Sequence, residues 1–125
     1  MPVSFQDLKL NEEEAIYIQV IRHFKKLIYN GILENGEEVP SRRVLAAMLG
    51  INLTTVQKIY KDLEAEHLIE TLPNSKTLVS VDEKKIKQLE VELVDQRVKR
   101  MIEELKSMKL DFKDAINLLT KFWDT

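Results

Sequence analysis

Between Val39 and Ile69 the chain carries two short helical periods broken by one glycine, and this constrains the fold more than any other feature. Pro40-Ser41 opens the first period. The Ser41 hydroxyl is placed to accept from the free N–H groups of a first helical turn, and Leu45, Ala46 and Leu49 supply an apolar stripe. Gly50 ends it, at a position where a helix stop commonly needs φ > 0. Asn52 is placed to cap the second period, in which Val56, Ile59, Tyr60 and Leu63 recur at i, i+3, i+4 and i+7. At about 100° per residue the opposite face carries Thr54, Lys58 and Lys61, with Thr55 and Gln57 at its edges.

From Ser41 to Lys61 there are four cations, Arg42, Arg43, Lys58 and Lys61, and no acidic residue. The chain as a whole has a net charge of −2, so this bias is local, and any nucleic-acid binding has to come from this face. Two readings fit the spacing. One is a helix-turn-helix, whose first helix crosses the phosphates while the second lies in the major groove. The other is an ordinary helical hairpin with a solvated outer face.

A wider pattern separates them. Gly31-x-Leu33-x-x-Gly36-x-x-Val39-Pro40-Ser41-x-Arg43-x-Leu45-Ala46 is followed by Leu49-Gly50-Ile51-x-x-Thr54-Thr55-Val56 and by Leu63-x-x-x-x-Leu68-Ile69. This pattern resembles the winged-helix head of the GntR family of bacterial transcription regulators, and the likeness runs from Ile16 to Val81. The short tail and the Ile16-Tyr17-Ile18-Gln19 opening are similar to the small YtrA-type branch, which lacks a ligand-binding effector domain.

The resemblance implies roles. Arg43 matches the family's DNA-contacting arginine in the first motif helix, and Thr54 and Thr55 match polar positions that touch phosphate or bases. Gln57 stands where relatives often have a basic residue or Gln, and its amide can pair bidentately with adenine. Lys58 and Lys61 face outward and suit phosphates, which set register without specifying sequence. Arg42 reads equally as a phosphate contact or a solvated cation, and Leu53 as a staple for the helix start or a partner for a thymine methyl. With Ser41 at the helix start and Lys76 in the wing, these ten residues are the expected DNA-contacting set.

Around the motif the chain divides into a head, 1–81, and a tail, 82–125. Residues 1–10 form an arm whose Phe5, Leu8 and Leu10 are expected to cover part of the core. Asn11 then predicts a helix start, with Asn11-x-x-Glu14 as an approximate capping box and Ile16, Val20, Ile21, Phe24, Leu27 and Ile28 as its apolar face. Gly31 ends that helix, and a short extended piece follows near Glu38-Val39. His67 stands at the C-cap of the second motif helix, where relatives usually have Gly, and is expected in the left-handed region. Ile69–Leu72 and Thr77–Val81, joined by Pro73-Asn74-Ser75-Lys76, predict a β-hairpin, the wing. Its tip has no glycine and a single cation, so phosphate contact is expected there rather than base reading.

The fold class expected is therefore mainly α with a small β-hairpin: a winged helix-turn-helix head followed by a two-helix dimerisation tail. Residues 83–108 read as one helix about 39 Å long, and Asp111 caps a shorter one. Val91, Val94, Val98, Met101, Leu105 and Met108 follow alternating steps of three and four, the seam of a helix packed along another. Leu93 and Ile102 widen that stripe, and Phe112, Ile116, Leu119, Phe122 and Trp123 give the last helix a second apolar face. Both faces are expected to form a homodimer interface; the alternative is that the two helices fold back to complete a monomer's core.

Catalysis lacks parts. There is no cysteine, no Gly-rich phosphate loop, no Ser/His/Asp arrangement and no clustering of the two histidines, His23 and His67, so no catalytic residue, metal or cofactor is expected. No stretch approaches a membrane span and no leader is evident, which predicts a cytoplasmic protein without membrane contact. The expected function is a homodimeric regulator, a repressor by family analogy, on an inverted repeat in double-stranded DNA. A winged-helix protein-interaction module is the alternative. No effector can be named from the residues.

Overall fold

The structure, a computed structural model, describes Phe5 and residues 8–125. Among these, the elements in chain order are α1 (Ile16–Tyr29), α2 (Arg42–Leu49), α3 (Leu53–Ala65), β1 (Ile69–Thr71), β2 (Thr77–Val79), α4 (Glu83–Glu90), a π-helical turn (Val91–Asp95), α5 (Gln96–Ser107) and α6 (Phe112–Phe122). The chain forms two compact units, 1–89 and 90–125. The mainly helical class with one small antiparallel hairpin matches the expectation.

In the head, α3 packs against α1, α2 and β1. The periodic residues meet there: Val20, Phe24, Leu27 and Ile28 of α1, Leu45 of α2, and Val56, Ile59, Tyr60 and Leu63 of α3 are all buried. Burial of each large side chain contributes roughly 1.5–3 kcal/mol before conformational entropy is counted. Phe24 sits edge-on to Tyr60, with ring centroids 5.7 Å apart. From the arm, Phe5 is buried against Phe24 at 4.7 Å, and Leu8 and Leu10 are half-buried. The rest of the predicted arm, 1–4 and 6–7, lies outside the described residues.

The start of α1 differs from its prediction. Asn11 does not cap it: the helix begins at Ile16 after Ala15, and Asn11 Oδ1 accepts instead from the Glu13 N–H at 2.9 Å. Glu14 leaves the predicted capping box and pairs with Arg22 at 2.6 Å. Gln19 is the reason. Its buried amide donates to the Asn11 and Glu14 carbonyls and accepts from the Asn11 N–H, holding 11–14 as a bent segment over α1. Three hydrogen bonds from one buried amide to the backbone of Asn11 and Glu14 outweigh one local cap.

The hairpin pairs Ile69 with Val79, Glu70 with Leu78 and Thr71 with Thr77. The extended piece before α2 lies along β2, where Val39 N–H donates to the Thr77 carbonyl and Val79 N–H to the Glu37 carbonyl. His67 adopts φ 60°, as expected, and Ser75 adopts φ 70° at the wing tip.

In the tail, the helical stretch predicted for 83–108 runs from Glu83 to Ser107 and contains a π turn. Backbone angles stay helical through Glu90, Asp95 and Gln96, but 91–95 close as a π turn, so Val91 and Val94 are out of phase with Val98, Met101 and Leu105. Asp111 caps α6 in a full capping box with Asp114. No described residue of 90–125 is buried. Side chains of α5 and α6, among them Met101, Leu105, Leu119, Phe122 and Trp123, line an open apolar groove of about 270 Å³.

Candidate nucleic-acid interface

α2 and α3 are held in one geometry by short-range chemistry that the sequence specifies. Ser41 Oγ accepts from the Val44 N–H at 3.2 Å, capping α2. Gly50, at φ 65° and ψ 36°, closes that helix in the left-handed region, where a Cβ is strained. Asn52 occupies the N-cap of α3 by position only, for its side chain makes no capping hydrogen bond. The Tyr60 hydroxyl donates to the Pro40 carbonyl and ties α3 to the start of α2. Burial pushes the Tyr60 phenol well above its ordinary pKa, an effect the neighbouring Arg42 charge partly opposes. The phenol therefore remains a neutral donor across the physiological range.

Arg42 belongs to this inner framework. Its guanidinium lies 5.0 Å from the centre of the Tyr60 ring and donates to Glu64 at 3.0 Å. Thr71 donates to the same carboxylate at 2.6 Å and meets Thr77 Oγ1 at 3.2 Å. The end of α3, the start of α2 and the wing are thereby linked through one half-exposed cluster. Of the two sequence readings of Arg42, phosphate contact or solvated cation, neither describes this placement in full.

The outer face is different in kind. Arg43, Thr54, Gln57, Lys58 and Lys61 are exposed, while Leu53 and Thr55 are half-buried. The side chains of Arg43, Thr54, Gln57 and Lys61 have no hydrogen bond or ion pair among the described residues. Lys58 is oriented: its Nζ stands 3.7 Å from the centre of the Tyr17 ring, which projects from the first turn of α1. On the wing, Lys76 Nζ is 3.9 Å from a Glu38 carboxylate oxygen, and both groups are well exposed. Such a pair is worth at most about 1 kcal/mol and is readily exchanged for another anion.

The structure thus leaves Arg43 and the outward residues of α3 exposed and sets Ser41 and Arg42 to structural tasks. Sequence reasoning missed Tyr17, Glu38, Glu64 and Thr71, since each acts on a partner far along the chain. Only Tyr17 carried a signal, as part of the Ile16–Gln19 opening. Among the described residues no group of three His, Asp or Glu side chains is arranged to hold a metal, and no helix is long and apolar enough to cross a membrane.

This arrangement has known counterparts. Residues 16–79 match the bacterial regulatory proteins of the gntR family. Over 96 residues the chain is 38% identical to the HTH-type transcriptional repressor YtrA of Bacillus subtilis (strain 168), a span of 77% of this chain and 69% of that protein. Among solved structures, a GntR family transcriptional regulator from Listeria monocytogenes is 28% identical, with a TM-score of 0.83 over 90% of this chain and 98% of that one. A transcriptional regulator from Oenococcus oeni, 23% identical, shares the fold at a TM-score of 0.76 over 94% of this chain and 98% of its own. Head, wing and matched sequence agree: the chain belongs to the GntR family, as a helix-turn-helix transcription regulator with the YtrA repressor among its relatives.

Proposed function

We propose that the protein is a cytoplasmic homodimeric repressor that recognises an inverted-repeat operator. GntR regulators bind double-stranded DNA. The observation that carries the reading here is the outer face of α2 and α3, where Arg43, Thr54, Gln57 and Lys61 are exposed with their polar groups uncommitted among the described residues. A face built only for solvation gains nothing from exposed Thr on a helix, where it is less favourable than Ala. In this reading α3 enters the major groove. Arg43 and Gln57 meet base edges, Thr54 and Thr55 meet phosphate or bases, and Lys58 and Lys61 grip phosphates. Ser41, Arg42, Leu53 and Lys76 flank the contact, Ser41 and Arg42 chiefly by holding α2 in place.

Residues 1–81 are assigned to DNA reading and 82–125 to dimerisation. Support for the second assignment is the exposure of Val91, Val94, Val98, Met101, Met108, Phe112, Ile116, Leu119, Phe122 and Trp123, with Leu105 only half-buried. Soluble chains rarely leave so large an apolar surface uncovered. A two-fold dimer sets its two α3 helices against half-sites about 34 Å apart, or a multiple of that. Selection of bound duplexes from a random pool, together with sedimentation of the full chain, tests this. An inverted repeat and a dimer are expected; an unpaired site bound by a monomer overturns the assignment.

A further inference from the structure

We propose that Tyr17 is a positioning residue of the DNA interface, acting through Lys58. The inference rests on the DNA-binding reading above and adds α1 to a site that the helix-turn-helix alone does not contain. The Lys58 ammonium stands 3.7 Å from the centre of the Tyr17 ring, well inside the range at which a ring quadrupole attracts a cation. The other outward groups of α3, Thr54, Gln57 and Lys61, have no partner among the described residues to fix them. Lys58 is therefore the outward side chain of α3 whose direction is set before any ligand arrives. A lysine free in solution gives up rotamer entropy when it settles on a phosphate; one already held over a ring gives up less.

The arrangement leaves Lys58 able to bind. A cation–π contact occupies one side of the ammonium, and Lys58 is exposed, so N–H donors remain for a phosphate oxygen. Tyr17 is half-buried and lies in the first turn of α1, at the edge of the side that carries Val20, Phe24 and Leu27 into the core at i+3, i+7 and i+10. The ring is thus anchored by the fold, while the cation it orients belongs to α3. Contact of α1 with α3 serves recognition as well as stability.

The test uses the full chain and the duplex that it selects from a random pool, titrated over a salt series, with thermal unfolding of each variant alongside. Tyr17→Leu keeps bulk and removes the ring face; it should weaken binding about two- to fivefold and lower the salt slope toward that of Lys58→Ala. Tyr17→Phe keeps the ring and should bind as the parent does. In a Lys58→Ala background, Tyr17→Leu should add nothing. Equal losses in both backgrounds, or parental binding by Tyr17→Leu, overturn the positioning role. If Lys58→Ala itself leaves affinity and slope unchanged, the proposal falls while the DNA reading stands. If the parent shows no salt-dependent binding to any duplex, the DNA reading falls with it.

Discussion

In residues 1–89 the apolar stripes of α1, α2 and α3 close on one another, and Val20, Phe24, Leu45, Val56, Ile59 and Leu63 leave solvent within one chain. In residues 90–125 helices just as amphipathic bury nothing completely, and Phe112 and Trp123 remain about four-fifths exposed. The two regions share a sequence grammar, but only the first buries its apolar stripes within one chain. Periodicity reports which face of a helix needs cover. It does not report what supplies it.

The largest expected effects come from attacking each region's apolar residues. Phe24→Ala should cost about 3–5 kcal/mol of head stability, measured by denaturant unfolding and independent of protein concentration. Leu105→Asp should leave the unfolding of the head unchanged but weaken dimerisation on the order of 100-fold or more, read by sedimentation across a dilution series. A Leu105→Asp chain that stays dimeric, or one whose head unfolds early, breaks the proposed contrast between a self-sufficient head and a tail completed by a partner.

The boundary between the regions can be sharpened next. Leu89 is buried in the first unit although it lies beyond the wing, on α4. A chain ending at Glu90 should therefore be more stable than one ending at Val81 by about 1.5–3 kcal/mol, the value of one buried leucine. Equal midpoints and slopes in urea for the two shortened chains would place Leu89 outside the head's cooperative unit.

Within the head, the proposed DNA face should respond without any loss of folding. Arg43→Ala should weaken binding to the selected site by ~1–3 kcal/mol while circular dichroism stays parental; unchanged affinity removes Arg43 from the site. Gln57→Ala should relax preference at one base position, whereas Lys58→Ala should weaken all sequences about equally and reduce the salt slope by ~1. Smallest of all, replacing Pro73–Lys76 with a neutral turn should cost roughly one phosphate contact, since Lys76 is the wing's lone cation and already faces Glu38. Loss of sequence preference in that variant would show that the wing reads bases.

Much of the head was legible because its signals are local. Ser41, Gly50 and His67 mark helix ends through constraints that act within a turn of the chain, and the structure places each at such an end. The Val56–Leu63 stripe named four buried residues of α3 for the same reason. Asn11 misled because its local preference lost to the buried amide of Gln19. The helix predicted for 83–108 is helical from Glu83 to Ser107, but its π turn was not legible, because such a turn leaves no composition signature that apolar spacing can register.

By itself the sequence determined the fold class, the acid-free face from Ser41 to Lys61 and the family pattern, since each depends on residue type and spacing along one chain. Tertiary structure decided how those side chains are used. It turned Arg42 inward to Glu64 and Tyr60, left Arg43 outward one residue later, and set Tyr17 beneath Lys58. These outcomes depend on which helix faces which, and contacts between distant positions are made by packing, which no window along the chain contains.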